Sequence, residues 1–272
     1  MRLVVATWNV NSVRLRLPLI ERFVALHAPD LLCLQETKCP DDRFPHADFA
    51  RFGFEHIALH GQKGWHGVAI ASRRPFAEIA REHFCGRDDA RHLAVTLGAD
   101  SGLIKSLTIH NFYIPAGGDT PDPAINDKFA HKLAFLDELK DSTACRDAAA
   151  GARSLLVGDL NVAPLEHDVW NHRQLLDVVS HTPVEVDKLG TLQRAGGWID
   201  VMRGFVPEPT KLYTWWSYRS PDWAAADKGR RLDHIWASPA LERAMREMTV
   251  MREARGWQRP SDHVPVVASF DL

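Results

Sequence analysis

Apolar and polar positions along the chain fall into short blocks, and most of the blocks read as strands. Leu3 to Trp8, Leu31 to Leu34, Gly67 to Ala71, His92 to Leu97, Leu107 to Phe112, Ser154 to Val157, Leu232 to Ala237 and a last run ending at Phe270 are continuously apolar or alternate with the two-residue period of a strand. Helical spacing shows from Arg14 to His27, where Leu15, Leu19, Ile20, Phe23, Val24 and Leu26 share a face until Pro29-Asp30 stops it. It shows again from Phe129 to Leu139, and a further helix is expected near Trp170 to Val179. Pro40 to Asp48, Ala116 to Pro123 and Arg219 to Lys228 read as loops, and Asp141 to Gly151 as a helix end followed by surface loop. Eight or more short strands with a few helices, not in strict alternation, favour a two-sheet β core flanked by helices over a doubly wound parallel sheet. No repeat, low-complexity segment or domain boundary divides residues 1–272, which are read as a single domain.

The polar residues fall in a second pattern. Asn9 and Asn11, Glu36, Tyr113, Asp159 and Asn161, Asp233 and the pair Asp262-His263 all stand at or beside the ends of expected strands. A core-only account leaves this recurrence unexplained, whereas one site assembled from many strand ends accounts for it. In Gly158-Asp159-Leu160-Asn161, side-chain alternation would put Asp159 and Asn161 on one side, about 6.5 to 7 Å apart along the chain. The competing reading is a β-turn in which Asp and Asn take their usual turn roles.

Composition changes this picture only by exclusion. With 33 basic and 35 acidic residues the chain has a formal net charge of −2, so nucleic-acid binding would need a basic face rather than a basic whole. Cys33, Cys39, Cys85 and Cys145 show no Cys-x-x-Cys spacing, which points to unpaired thiols in a reducing compartment. No run approaches transmembrane length and the N-terminal apolar stretch is too short for a signal peptide, so a cytoplasmic location is expected. Glu36, Asn9, Asn11, Asp262 and Asp159 are oxygen donors of the kind that hard Mg²⁺ prefers. A Gly-x-x-x-x-Gly-Lys-Ser/Thr loop and a Gly-x-Ser-x-Gly elbow are both absent. A triad of Asp233, His263 and a hydroxyl lacks a serine on a strand-to-helix turn. Metal-assisted hydrolysis of a phosphate ester fits the set better.

Six segments in order, Thr7-Trp8-Asn9-Val10-Asn11-Ser12, Leu34-Gln35-Glu36-Thr37-Lys38, Asn111-Phe112-Tyr113-Ile114-Pro115, Gly158-Asp159-Leu160-Asn161, Arg231-Leu232-Asp233 and Ser261-Asp262-His263, resemble the motifs of the exonuclease III family of AP endonucleases. That family lies within the endonuclease–exonuclease–phosphatase superfamily. The resemblance implies a four-layered, DNase I-like α/β sandwich, with two packed, mainly antiparallel sheets flanked by helices. It implies a Mg²⁺-dependent nuclease, with Mn²⁺ as a substitute, that cuts 5′ to abasic sites and has 3′→5′ exonuclease and 3′-phosphatase or phosphodiesterase activity. Carried onto this chain, it makes Glu36 the main metal ligand with Asn9, Asn11 and Asp262 near the ion. Asp159 would position or deprotonate water, with Asn161 orienting it. His263, oriented by Asp233, would bind the scissile phosphate or act as the base, and Tyr113 would support charge on phosphate.

Double-stranded DNA with abasic sites or blocked 3′ ends is the implied partner of a monomer. Basic residues gather in loops beside the motifs: Arg14 and Arg16, Arg73-Arg74, Arg219, Lys228 with Arg230-Arg231, and Arg252, Arg255 and Arg259. Such clustering favours phosphate contacts. Trp215 matches an aromatic position that in relatives lines the pocket for a flipped-out abasic sugar. Trp216 is expected in the core, while Trp223 and Trp257 suit either core or groove. Two positions depart from familiar members: Ala116 stands where relatives often carry Asn or Gln, and Arg230 where some have an apolar or aromatic pocket residue. The alternatives are a superfamily phosphodiesterase acting on a lipid or inositol phosphate, and a catalytically inactive nucleic-acid-binding module. The first leaves the Trp-Asn-Val-Asn and Leu-Gln-Glu-Thr-Lys segments unexplained. The second would be expected to have lost one of Glu36, Asp159, Asp233 or His263.

Overall fold

Strands β1 (Arg2–Asn9) and β14 (Val266–Asp271) pair antiparallel, so the two ends of the chain lie side by side within one sheet. The computed structural model describes residues 1–272. That first sheet runs β13 (Met245–Val250), β14, β1, β2 (Leu31–Gln35), β4 (Val68–Ser72), β3 (His56–His60). The second runs β5 (Glu78–Ala80), β6 (His92–Leu97), β7 (Leu107–Tyr113), β8 (Ser154–Asp159), β12 (Asp233–Ala237), β9 (Ile199–Asp200). A two-stranded ribbon, β10 (Trp215–Trp216) with β11 (Gly229–Arg230), stands apart. Each large sheet has one parallel pair, β1 with β2 and β7 with β8; the remaining pairs are antiparallel.

Alternation within strands builds the layers. Leu155 and Val157 of β8 point into a core shared with Val5, Leu31 and Ile70 of the other sheet. Leu156, between them, packs outward against Phe135, Leu136, Leu189 and Leu192. Those four residues belong to α3 (Asp127–Lys140) and α6 (Pro183–Gly196), which cover the second sheet together with α4 (Thr143–Ala149). On the far side α1 (Leu17–His27) buries Leu19, Ile20, Phe23 and Val24 against Trp8, Leu32 and Leu34. The result is the expected four-layered sandwich. Short helices α2 (His46–Arg51), α5 (His172–Leu175), α7 (Val201–Phe205) and α8 (Trp223–Ala226) lie in the connections.

Several local expectations differ. The segment from Pro40 to Asp48 holds a 3₁₀ turn and the start of α2 rather than loop alone. Asp141 to Gly151 contains α4, capped by the Ser142 side chain accepting from the Cys145 N–H, with Ala144, Cys145 and Ala148 buried. The helix expected over 170–179 shrinks to the four residues of α5. The long helix comes next, at α6, where Thr182 and Glu185 form a capping box around Pro183. Arg219 to Lys228 contains α8. All four cysteines are unpaired.

The pairing also sets where each strand ends. Asn9 lies opposite Gln35, Tyr113 opposite Asp159, and Asp159 opposite Asp233. The polar residues that finish β1, β2, β7 and β8, and the one that starts β12, therefore leave the sandwich at one rim. Gly158 makes the β7–β8 approach possible: a Cβ there would sit 2.0 Å from the Phe112 carbonyl oxygen, at a φ of +133°.

Candidate active site

At that rim the nine expected catalytic and metal-site residues meet. Asn9 is central: its side-chain amide donates to Glu36 Oε1 and to Asp159 Oδ2, both at 2.9 Å. Two carboxylates only accept, so the NH₂ group must face them, and Asn9 Oδ1 turns to accept the Asn11 backbone N–H at 3.1 Å. Asn11 donates from Nδ2 to Asp262 Oδ1 at 3.3 Å, and the Tyr113 hydroxyl donates to Glu36 Oε1 at 3.0 Å. His263 Nδ1 lies 2.8 Å from Asp233 Oδ2, and its Nε2 lies 3.7 Å from Asp159 Oδ2. Trp215 Nε1 donates to Asp262 Oδ2 at 3.0 Å.

Asn161 reaches the site by a different route from simple strand alternation. The strand ends at Asp159, whose Oδ1 accepts the Asn161 N–H at 3.0 Å, and the Asn161 amide donates to the Ile114 carbonyl at 2.8 Å. The Asx-turn reading of this segment thus describes the backbone. Asn11, Glu36 and Asn161 all hold left-handed φ values, 45°, 50° and 54°. Three non-glycine residues in this region at one rim mark a site whose surroundings over-determine its shape. Among those surroundings, Ser261 Oγ donates to the Asn9 carbonyl and the Ser12 N–H to the Glu36 carbonyl, both at 2.7 Å.

Charge in the site is unbalanced. Within ion-pair distance, Glu36 meets only Lys38, Asp159 and Asp233 meet only His263, and Asp262 meets no cation. Burial pushes Asp159 up to about 7 against the pull of His263. Burial opposes the charge on His263, but the Asp233 and Asp159 carboxylates outweigh it and hold the imidazolium up to about 10. For Glu36, burial is outweighed by the charge and hydrogen bonds of Lys38 and Asn9, and its carboxyl stays below the usual value. The donor set fits a hard divalent ion. Lys38 Nζ sits 2.8 Å from Glu36 Oε2 and 2.6 Å from Asn11 Oδ1, so an ammonium stands among the oxygens that would receive such a cation.

The site opens into a cavity of about 580 Å³ lined by Glu36, Tyr113, Asp159, Asn161, Asp262 and His263. Trp215, Arg219, Lys228 and Arg230 line the same cavity. Asn9, Asn11 and Asp233 stand behind the lining. Arg230 is half-buried: its Nη1 donates to the Val179 carbonyl and to Ser180 Oγ, at 2.9 and 2.7 Å, while its guanidinium lies 5.4 Å from the Trp215 ring. Beyond Tyr113 lies a second cavity, of about 540 Å³, bordered by Trp65, Arg87, Arg91 and Lys128.

Other basic residues read as groove contacts are placed differently. Arg16, Arg231 and Arg255 are buried and bound to internal acceptors; Arg16, for example, donates to the Asn11 and Pro260 carbonyls. Arg73 and Arg74 hold Pro29 and Asp30 at the start of β2, the end of the strand opposite Glu36. Trp216 and Trp257 belong to the core under the first sheet, and Trp223 is half-buried against it. Three contributors went unread in the sequence: Lys38 as a charge in the site, Trp65 as an exposed aromatic on the rim, and Lys132. The last is wholly buried, pairs with Glu185 and donates to the Asn161 carbonyl at 2.7 Å. Trp65 sits in a short Gly- and Lys-containing loop with no periodicity, so only its exposure, 70%, reveals it.

Comparison with known proteins places this geometry. The sequence pattern of the Endonuclease/Exonuclease/phosphatase family matches residues 6–263. Exodeoxyribonuclease III of Haemophilus influenzae is 27% identical over 97% of this chain and 98% of its own. Among solved structures, an AP endonuclease from Archaeoglobus fulgidus superposes with a TM-score of 0.86 at 30% identity, covering 99% of this chain and 100% of that one. The 3′ phosphatase NExo from Neisseria, bound to a product DNA hairpin, gives 0.87 at 32% identity, with the same 99% and 100% coverage.

Proposed function

The chain belongs to the exonuclease III/AP endonuclease family of the endonuclease/exonuclease/phosphatase superfamily and is a DNA repair nuclease; from that premise we propose that it is a divalent-metal-dependent hydrolase acting on double-stranded DNA. In this reading it cuts the backbone 5′ to abasic sites and clears 3′ ends by 3′→5′ exonuclease and 3′-phosphatase or phosphodiesterase action, with Mg²⁺ as the metal. One observation carries the reading: Glu36, Asp159 and His263 open onto a single cavity that Trp215, Arg219, Lys228 and Arg230 also line. Acidic and imidazole groups face the reacting phosphate, and basic and aromatic groups face the strand that bears it. We read residues 1–272 as one catalytic domain, because the inter-sheet core draws on positions from Leu3 to Phe270.

Glu36 and Asn11 would hold the ion, with Asp262 beside them. When bound, the metal would polarise a phosphoryl oxygen and stabilise the leaving oxygen. The chain's own groups do the rest. Asp159 keeps one oxygen on Asn9 and near His263, and accepts the proton of a water aimed at phosphorus. His263 commits Nδ1 to Asp233 and presents Nε2–H to a non-bridging oxygen, so it serves as an imidazolium donor rather than the base. Tyr113, hydrogen-bonded to Glu36, stands where its hydroxyl can meet another phosphate oxygen. Asn161 fixes the turn that places Asp159.

A gel assay tests this with three duplexes, carrying an abasic site, a recessed 3′ end or a 3′-phosphate, each with Mg²⁺ and with chelator. Metal-dependent turnover of all three is expected. Folded protein that leaves all three intact with Mg²⁺ or Mn²⁺ present would overturn the reading.

A further inference from the structure

The geometry points to a second metal site away from the catalytic cavity, in which His60, His83 and Asp88 bind Zn²⁺ or a similar transition-metal ion. The ligand atoms of these three residues lie within 4.8 Å of one another. His60 is only 8% exposed, and its Nδ1 lies 2.8 Å from the His92 carbonyl oxygen. A carbonyl only accepts, so Nδ1 carries the hydrogen. The lone pair therefore belongs to Nε2, which has no partner in the protein. This is the arrangement that orients metal-binding histidines, with the distal nitrogen held by a backbone carbonyl and the other free for the ion. His83 Nδ1 and Asp88 Oδ1 are 3.4 Å apart. Two ligands at about 2.0–2.1 Å from a tetrahedral ion are separated by about that distance. The His83 and Asp88 side chains are 48% and 96% exposed, so closing them onto an ion held by His60 displaces little else. Two imidazoles and one carboxylate suit Zn²⁺ and leave a fourth position for water, whereas the oxygen-rich catalytic set suits Mg²⁺.

The placement gives the ion a role. His60 closes β3 and His83 lies three residues past β5, so one histidine ends an edge strand of the first sheet and the other follows an edge strand of the second. The ion would clamp those edges at the same end as the catalytic rim. It would also fix the roots of the loops that carry Trp65 and Arg87 to the second cavity.

The test uses the full chain stripped with chelator and returned to Zn²⁺ in excess Mg²⁺, compared with His83→Ala and Asp88→Asn. Zinc at the catalytic site adds equally to every protein, so the difference between them isolates this cluster. Wild type should retain one zinc per chain more than His83→Ala. At about a hundredfold over the dissociation constant, its unfolding midpoint should rise by about 5 °C beyond any shift in the variant. Hydrogen exchange in residues 60–66 and 81–91 should slow on zinc addition in wild type only. Mg²⁺-supported DNA hydrolysis by His83→Ala should stay at the wild-type level. Equal zinc content and equal midpoint shifts in wild type and His83→Ala would overturn the site and leave a solvated His-Asp cluster. Zinc content, unfolding midpoint and hydrogen exchange do not depend on the nuclease reading.

Discussion

Arg231 is wholly buried and gives every face of its guanidinium to carboxylates. Nε and Nη2 donate to Asp168 at 2.9 and 2.8 Å, Nη1 donates to Asp200 at 2.6 Å, and Arg203 adds a second cation on Asp168. Two residues further along the chain, Asp233 begins the proposed catalytic cluster, where four carboxylates have only the Lys38 ammonium and the His263 imidazolium within ion-pair distance. The first network is balanced and every partner is protein, so it holds the start of β12 against the loop after Asn161. The second is short of positive charge. Unpaired buried charge is expensive, and a cluster that keeps it is poised for a cation from outside. Two neighbouring groups of charged residues thus separate by their balance: one reads as structure, the other as the proposed site.

Removing charge should therefore have opposite consequences in the two regions. Arg231→Met leaves Asp200 without a cation and Asp168 with Arg203 alone, and should lower unfolding stability by about 3–5 kcal/mol in denaturant titrations. Incision per folded molecule should fall far less. Asp159→Asn removes surplus negative charge, so its stability should equal or exceed wild type while turnover of abasic duplex falls by about 10²–10³. A stable Arg231→Met, or an unstable Asp159→Asn, would erase the distinction.

Acid should weaken the fold through groups outside both clusters. Burial lowers His110 and His234 from 6.5 to about 4, so the unfolded chain binds more protons than the folded one between those values. This contribution to stability is complete above pH 6.5 and is lost as pH falls towards 4, which thermal unfolding across that window will show. The smallest effect belongs to Arg230, already held by Val179 and Ser180. Arg230→Ala should weaken binding several-fold to abasic and recessed 3′ duplexes, more on the recessed end if the side chain serves the backbone. Equal, negligible effects on both would remove it from the interface.

The architecture was legible because it rests on short-range pattern. Strands such as Leu31–Leu34 are apolar on both faces, and the rim residues follow directly from where such runs stop. Edge strands β3, β5 and β13 escaped because Glu78–Ala80 is exposed, Met245–Val250 is partly exposed and polar, and His56–His60 begins and ends in histidine. The long helix α6 was displaced by Trp170–Val179, although its Thr182-Pro183-x-Glu185 start is a sequence signal. What could not be read is partnership at a distance. Arg16, Arg231 and Arg255 look like surface cations until their acceptors, far along the chain, are brought beside them. The same holds for Lys132, whose partner Glu185 is 53 residues away. Asn161 was placed at the rim for a reason that the left-handed turn after Asp159 replaces.

The central claim is that the surplus carboxylates hold a divalent ion against a DNA phosphate. Single-turnover cleavage of an abasic duplex, measured against Mg²⁺ concentration for wild type and Glu36→Gln, tests it most directly. The account predicts no cleavage without metal, saturation in wild type, and a Mg²⁺ requirement raised at least tenfold in the variant. Superimposable Mg²⁺ curves for the two proteins would contradict it.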